Sequence, residues 1–545
     1  ATKKTMIMKN FLYILIALLT FSFTFSQSKL QTINQIVSEA EDNSQLEILA
    51  HQLIDQIGPR LTGTPQMQKA HNWVIEKYSE WGINAKNEQF GQWRAWERGI
   101  SHMDMMTPWV KSLEGQQLSW SASTKKNGVL AEAVLIPYKS KEVFDMWLKT
   151  IKGKHILFSE TDISGRPDYD LERWAKPSTL NEIRRYRNTS RNRYIRKIRK
   201  TGYTRKDMIK AIEDAKPASI ITSDWRGGFG TNTIFSPGYF GISPKTPTVD
   251  LSFEDYGLLY RLAKNNQRPT IKVNVQSKEL GKVPTYNSIA RIEGVEKPNE
   301  YIILSAHLDT TGGGTGATDN GTGTIVMMEA MRILKKLYPN PKRTIIAGHW
   351  GAEEQGLNGS SAFVEDNPNI VNNLQALFNQ DNGTGRTVKI NGHGFTEAYR
   401  FIGEWLQYVP SEIRNEIDTE FPGVPIPLFQ KESNGRMVRA GGSSDWRNFV
   451  SSGVPGFNLT ALDFSYGGKS RYFYTWHTNR DTYDKIVFDD VRDNVILVAI
   501  LTYLASEEDE LMPRNRRVLP INPLTGERDE WPPLRIPNRD GSEDN

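Results

Sequence analysis

Between residues 284 and 510 the chain alternates short apolar, β-branched runs with longer stretches of helical period, and this alternation limits it to a sheet with helices packed over it. The runs at 301–306, 343–348, 374–379 and 456–460 read as buried strands. Residues 322–337, 396–408 and 489–505 read as helices. In the first of these, Ile325, Met328, Met331, Ile333 and Leu334 fall broadly on one inner face. A βαβα order of this kind predicts an α/β fold with a mostly parallel central sheet flanked by helices.

The rest of the chain divides by texture. Lys3, Lys4 and Lys9 precede an apolar run from Phe11 to Phe25, followed by Ser26 and Gln27. That run is shorter than the roughly 20 residues a membrane span needs, so residues 1–26 read as a secretory signal peptide, with Met8 as the expected start and cleavage near Ser26. The expected location is secreted or periplasmic, with no stable membrane span once the signal is removed. Residues 33–56 have helical spacing ended by Gly58-Pro59-Arg60, a second helix is expected over 65–80, and 88–97 look extended. From 116 to 275 short β-like runs recur at 130–136, 155–159, 218–222 and 270–275. They enclose a basic stretch, 184–206, read as a solvated helical insertion. The expected organisation is signal peptide 1–26, an N-terminal part 27–115, an insert 116–275, a catalytic part 276–512, and an irregular tail 513–545.

The 545 residues include no cysteine, which excludes thiol nucleophiles, disulfides, iron–sulfur clusters and Cys-ligated zinc. A net charge of +5 gives no reason to expect nucleic-acid binding. With 8 histidines in the chain, a metal site would have to combine a few imidazoles with carboxylates.

Such groups collect where the predicted strands end. His307 and Asp309 follow the first strand, and a glycine-rich loop then leads to Asp319. Glu353 and Glu354 follow the second strand, and Asp381 the third. A fourth segment holds His477 and Asp481. Strand carboxyl ends form the ligand-binding edge of an open α/β sheet, so these groups are expected at one edge. Clustered carboxylates repel one another unless a cation joins them. Two imidazoles with carboxylates suit catalytic zinc, and one bridging carboxylate allows two ions about 3.5 Å apart. Asp309 and Asp481 are expected to orient the imidazoles of His307 and His477. Singly, Glu353-Glu354 could be acids at a helix N-terminus and Asp319-Asn320-Gly321 a turn; the joint pattern is what argues for a site. The remaining histidines, including His349, read as packing or surface residues.

Gly58-Pro59-Arg60-Leu61-Thr62-Gly63, Trp96-Glu97-Arg98-Gly99, Ala306-His307-Leu308-Asp309, Asp319-Asn320-Gly321, Ala352-Glu353-Glu354-Gln355-Gly356, and His477 with Asp481-Thr482 make the chain resemble the co-catalytic zinc exopeptidases. That family includes bacterial leucyl aminopeptidases, glutamate carboxypeptidase and carboxypeptidase Q, and the likeness is greatest to the carboxypeptidase Q type. It runs from about 40 to 513, and 116–275 resembles a protease-associated domain. The resemblance implies two zinc ions per chain, one on His307 and Asp381, the other on Glu354 and His477, with Asp319 bridging. It implies Glu353 as general base, with Asp309 beside it in the catalytic set, Asp481 supporting the ligands, a peptide as substrate and a homodimer. Peptide hydrolysis would then use a zinc-activated water deprotonated by Glu353. Tyr466 and Tyr474 are the candidate oxyanion donors, and Arg436, Arg439, Lys469 and Arg471 the candidate substrate anchors. Where relatives often carry His, this chain has Trp446, and the basic stretch and the tail are additions to the family pattern. A glutaminyl cyclase-like or other amide hydrolase on the same fold, and a non-catalytic binding protein, stay open as alternatives.

Overall fold

The computed structural model describes residues 29–541 apart from 226, 382, 426–429, 432–436, 439–442, 462–474 and 524. The expected leader lies outside these residues, as do Tyr466, Tyr474, Arg436, Arg439, Lys469 and Arg471. Among the described residues no helix is long and apolar enough to cross a membrane.

The strands in chain order are β1 (Asn84–Thr107), β2 (Lys111–Ser112), β3 (Gly115–Gln117), β4 (Val129–Leu135), β5 (His155–Leu157), β6 (Ser219–Thr222) and β7 (Thr248–Leu251). They continue as β8 (Thr270–Ile292), β9 (Lys297–His307), β10 (Arg343–Trp350), β11 (Leu374–Asn379), β12 (Thr387–Asn391), β13 (Asp418–Glu420) and β14 (Gly456–Ala461). All belong to one sheet with the path β13-β12-β14-β11-β9-β10-β8-β4-β5-β6-β7-β3, while β1 lies along β8 and carries β2.

The centre of this mixed α/β sheet is parallel: β10, β9, β11 and β14 all run the same way. Every residue of β10 and β11, and the last six of β9, are buried. Strands covered on both faces read as unbroken apolar runs, which is why they stand out in the sequence. Helices Thr322–Leu337 and Phe488–Glu507 pack together against this region, each largely buried and supplying the main apolar core. Antiparallel pairings flank the parallel centre, at β12–β14 and at β8–β10.

Strand β8 is the long element that joins the two regions. It pairs antiparallel with β10 through residues 288–292, with β4 through 270–273, and with β1 along almost its whole length. It passes uninterrupted through the expected boundary at 275–276, so β4–β7 extend the same ladder. Separate apolar clusters cover their two faces. Irregularities in the β1–β8 register, at Gln89/Gly91, Ala95/Trp96 and Arg98/Ser101, increase its twist.

The local signals act as physics requires. Thr64 accepts the Met67 N–H and Pro65 opens the helix Pro65–Glu80, which ends where expected. The expected helix over 33–56 is instead interrupted. Residues 29–42 are helical, Leu46–Ala50 restart, and a π-turn His51–Ile57 runs to Gly58 at φ 80°. The break follows from a competing contact, because the Gln45 N–H donates to Glu329 Oε1 at 3.0 Å. The basic stretch forms the helices Pro177–Asn188, Ser190–Lys200 and the start of Arg205–Asp214, with Ile183 and Ile198 as buried anchors.

Candidate metal centre

Because β9, β10 and β11 are parallel, their carboxyl ends share an edge, and three loops leave it side by side. His307 ends β9 and is fully buried. The glycine-rich loop after it turns back to Asp319, clamped from two directions. Arg60, also fully buried, donates through Nε to the Leu308 carbonyl at 2.8 Å, through Nη1 to Gly58 and Thr315 at 3.0 and 2.9 Å, and through Nη2 to Gly316 at 3.0 Å. On the other side, the Asp481 carboxylate accepts the backbone N–H groups of Thr318 and Asp319 at 2.6 and 3.0 Å. Its carbonyl accepts those of Thr315 and Gly316. The glycines are what permit this approach: a Cβ on Gly314 would lie 2.8 Å from the Thr478 carbonyl oxygen, and Gly316 sits at φ +67°.

Asp319 stands between two imidazoles. Its Oδ1 is 3.1 Å from His307 Nε2 and its Oδ2 is 3.2 Å from His477 Nε2. Asp381 Oδ1 lies 3.2 Å from His307 Nε2, and Glu354 Oε2 lies 2.9 Å from His477 Nε2. Two donor triads result, His307–Asp319–Asp381 and Asp319–Glu354–His477, with Asp319 common to both.

The tautomer decides what these triads suit. His307 Nδ1 is 3.0 Å from the Asp309 carbonyl oxygen, so it carries the proton and Nε2 presents its lone pair to two carboxylate oxygens. Lone pair against carboxylates is repulsive unless a second imidazole proton or a metal ion lies between them, and two imidazole nitrogens with carboxylate oxygens are a donor set that fits a divalent metal. The electrostatics agree. Burial opposes a charge on His307, but Asp381 and Glu353 push its pKa well above the imidazole range. Burial likewise opposes a charge on His477, yet Glu354 and Asp319 raise it to about 10. Burial raises Glu354 to about 7, helped by Asp319. Asp319 is held low despite its burial by hydrogen bonds from the two histidines.

Glu353 faces the same space without belonging to either triad. Burial, with Asp381, Asp445 and Glu354 nearby, pushes its carboxyl well above the usual range. Its backbone N–H donates to Asp309 Oδ1 and that of Glu354 to Asp309 Oδ2, both at 3.1 Å. His307 Nδ1 faces Asp309 twice, donating to its carbonyl oxygen at 3.0 Å with the carboxylate Oδ1 at 3.6 Å. Both the Asp309 and the Asp481 carboxylates also accept backbone N–H groups of the site loops. Among the described residues His477 Nδ1 has no hydrogen-bond partner.

Three contributions carried no clear sequence signal. Arg60 stands in the sequence only within the helix-ending Gly58-Pro59-Arg60 and the family-like stretch 58–63, with no role of its own. Asp445, fully buried and bonded to Ser360 Oγ, is raised to about 7 by burial, with Asp381 adding to the rise and His307 opposing it. The segment 231–235 braces His477: the Ile234 N–H donates to its carbonyl at 3.2 Å and the Phe235 ring meets the imidazole edge-on at 5.0 Å. Trp446 stacks on His393 with ring centroids 3.6 Å apart, and His349 is buried on the Tyr78 hydroxyl at 2.7 Å.

Residues 287–501, which contain every one of these donors, match the model of peptidase family M28. This stretch resembles that family's peptidase domain. Human carboxypeptidase Q is 25% identical over 491 residues, covering 89% of this chain and 89% of that protein. The crystal structure of a peptidase M28 precursor from Shewanella amazonensis superposes with a TM-score of 0.62 at 22% identity, covering 90% of this chain and all of that one. A zinc aminopeptidase from Bacillus subtilis gives 0.52 at 18% identity, covering 86% of this chain and 98% of its own. The two structures share the fold of this chain.

Proposed function

We propose that this chain is an exported zinc exopeptidase that hydrolyses dipeptides or short peptides with two zinc ions in one centre. His307 and Asp381 would hold one ion, Glu354 and His477 the other, and Asp319 would serve both. The observation that carries this reading is the single Asp319 carboxylate with one imidazole on each oxygen, each imidazole sharing its nitrogen with a second acid. When bound, zinc supplies Lewis acidity that lowers the pKa of water and polarises a carbonyl.

The protein's own groups supply the rest. Glu353 is raised by burial and fixed through its N–H by Asp309, so its carboxylate takes the proton of the attacking water and holds it on Oε. It then passes that proton to the nitrogen of the leaving amine, and the peptide C–N bond breaks. Asp481 and Arg60 keep Asp319 in place through the loop backbone while this happens. The segment carrying Ile234 and Phe235 keeps the His477 side of the centre covered.

The test is a set of free and blocked dipeptides assayed with metal-stripped and zinc-reloaded enzyme, alongside elemental analysis. Two zinc ions per chain with activity restored on reloading is the expected result. One ion per chain would move the reading to the cyclase-like chemistry of the same fold. Sedimentation of the same preparation tests the homodimer that the family likeness implies.

A further inference from the structure

A cleft of about 500 Å³ opens directly onto Glu354. Aromatic side chains line it, Trp93 and Trp120 from the N-terminal part and Phe235 and Tyr239 from the segment that braces His477, with the polar Ser119, Ser236 and Gln355 between them. Its remaining wall comes from far away in sequence: Arg535, Ile536 and Asn538, beyond the end of the M28 match at 501.

The tail is strapped there by specific bonds. Ser361 Oγ donates to the Arg535 carbonyl at 2.7 Å and the Asn538 N–H to Asn358 Oδ1 at 2.8 Å. Arg539 pairs with Glu365 and Asp366 at 2.6 and 2.8 Å, and its carbonyl accepts the Gln92 N–H. A Cβ on Gly91 would lie 2.9 Å from Arg539 Cα, so the glycine is what lets the strap lie on β1. Between these anchors Ile536 is 92% exposed. A large apolar side chain held at a cleft mouth by rigid neighbours is placed to be covered by what enters the cleft.

Charge narrows what that is. Among the described residues lining the cleft only Glu354 and Arg535 are ionic, and the Glu354 carboxylate is turned toward His477. Arg535 donates through Nη1 to the Gly356 carbonyl at 3.0 Å, which pins its guanidinium two residues from Glu354 in sequence. We propose that the C-terminal strap is the outer wall of the substrate cleft, and that Arg535 pairs with the terminal carboxylate of a short apolar peptide while Ile536 limits its length. This rests on the peptidase reading above. The volume is in the range of pockets that enclose small ligands, and suits a di- or tripeptide. The guanidinium is suited to a carboxylate because its donors match both oxygens.

The test compares a free apolar dipeptide with its C-terminal amide. Arg535→Gln should raise KM for the free acid about tenfold with kcat within about twofold, and leave KM for the amide unchanged. Arg535→Lys should recover part of the loss. Ile536→Gly should raise turnover of a tetrapeptide relative to the dipeptide. Equal effects of Arg535→Gln on acid and amide, or no effect on either, would overturn the anchor, and an unchanged tetrapeptide-to-dipeptide ratio would overturn the length limit. Calorimetry of the same two ligands on the unmutated enzyme separates this from the reading it rests on. If no peptide is turned over, the peptidase reading fails by itself, while equal affinities for acid and amide sink the anchor.

Discussion

Replacing Arg60 with methionine keeps the volume and removes every donor. In the native protein four carbonyls, those of Leu308, Gly58, Thr315 and Gly316, accept from this guanidinium at 2.8 to 3.0 Å, inside a fully buried site. Leaving them unpartnered costs on the order of 1–2 kcal/mol each, roughly 6 kcal/mol together. Part of this returns, because the cation itself is uncomfortable: burial brings its pKa down to about 10 although Asp481, Asp309 and Asp319 act to raise it. That depression corresponds to about 3 kcal/mol of relief when the charge is removed. The net expectation for Arg60→Met is therefore a loss of about 3 kcal/mol, a drop in melting temperature of roughly 3 °C for a chain of this length. The loss falls on the loop that presents Asp319, so zinc affinity should weaken by about 10- to 100-fold, the usual cost of removing support behind a ligand. Thermal unfolding in zinc-free buffer and competition with a chromophoric chelator measure the two effects separately. Arg60→Lys, which keeps the charge without the planar fork, should fall between wild type and Met. A methionine variant that melts with wild type and binds zinc as tightly would refute the clamp.

Four further outcomes are expected. Glu353→Gln should reduce kcat by at least about a thousandfold while elemental analysis finds the zinc content unchanged, since the residue stands outside both triads. Asp319→Ala should empty both positions rather than one, and retention of a single full equivalent of zinc would show that the ions do not share it. Gly314→Ala drives a methyl toward the Thr478 carbonyl and should lower activity at least about tenfold, read against an unchanged far-ultraviolet circular dichroism spectrum. The last outcome concerns acid stability. His393 is buried with a pKa of about 3, so the folded state refuses a proton that the unfolded chain binds near 6.5. Its contribution is complete above that value and falls as the pH drops, by about 2 kcal/mol at pH 5. The stability of His393→Phe relative to wild type should accordingly rise by that amount between pH 7.5 and pH 5 in urea titrations, and a constant difference would contradict it.

Much of this was legible in the chain because its signals are local. Buried parallel strands such as 343–348 and 374–379 announce themselves as unbroken apolar runs, and a parallel arrangement fixes which ends of them meet. That was enough to bring His307, Glu354 and Asp381 to one edge. The hydrogen-bond partners were not legible, because a carboxylate two residues from an imidazole has several donors within reach. At Asp309 the winners are the Glu353 and Glu354 backbone N–H groups, and at Asp481 those of Thr318 and Asp319. Nor does any periodicity link Ile234 to His477, or Arg535 to Glu354, since these contacts are made by irregular segments whose neighbours only the folded chain defines. The broken N-terminal helix has the same origin: Glu329, almost three hundred residues away, competes for the Gln45 N–H.

The brace on His477 has a consequence for how the protein matures. The imidazole that completes the second triad is synthesised well after the surface against which it rests, which belongs to the segment around Ile234 and Phe235. On the proposed two-ion reading, metal loading on that side waits until two stretches separated by some 240 residues have found each other. Grafting the intervening region from another protein would have to reproduce that seat, or yield an enzyme that folds yet stays half charged.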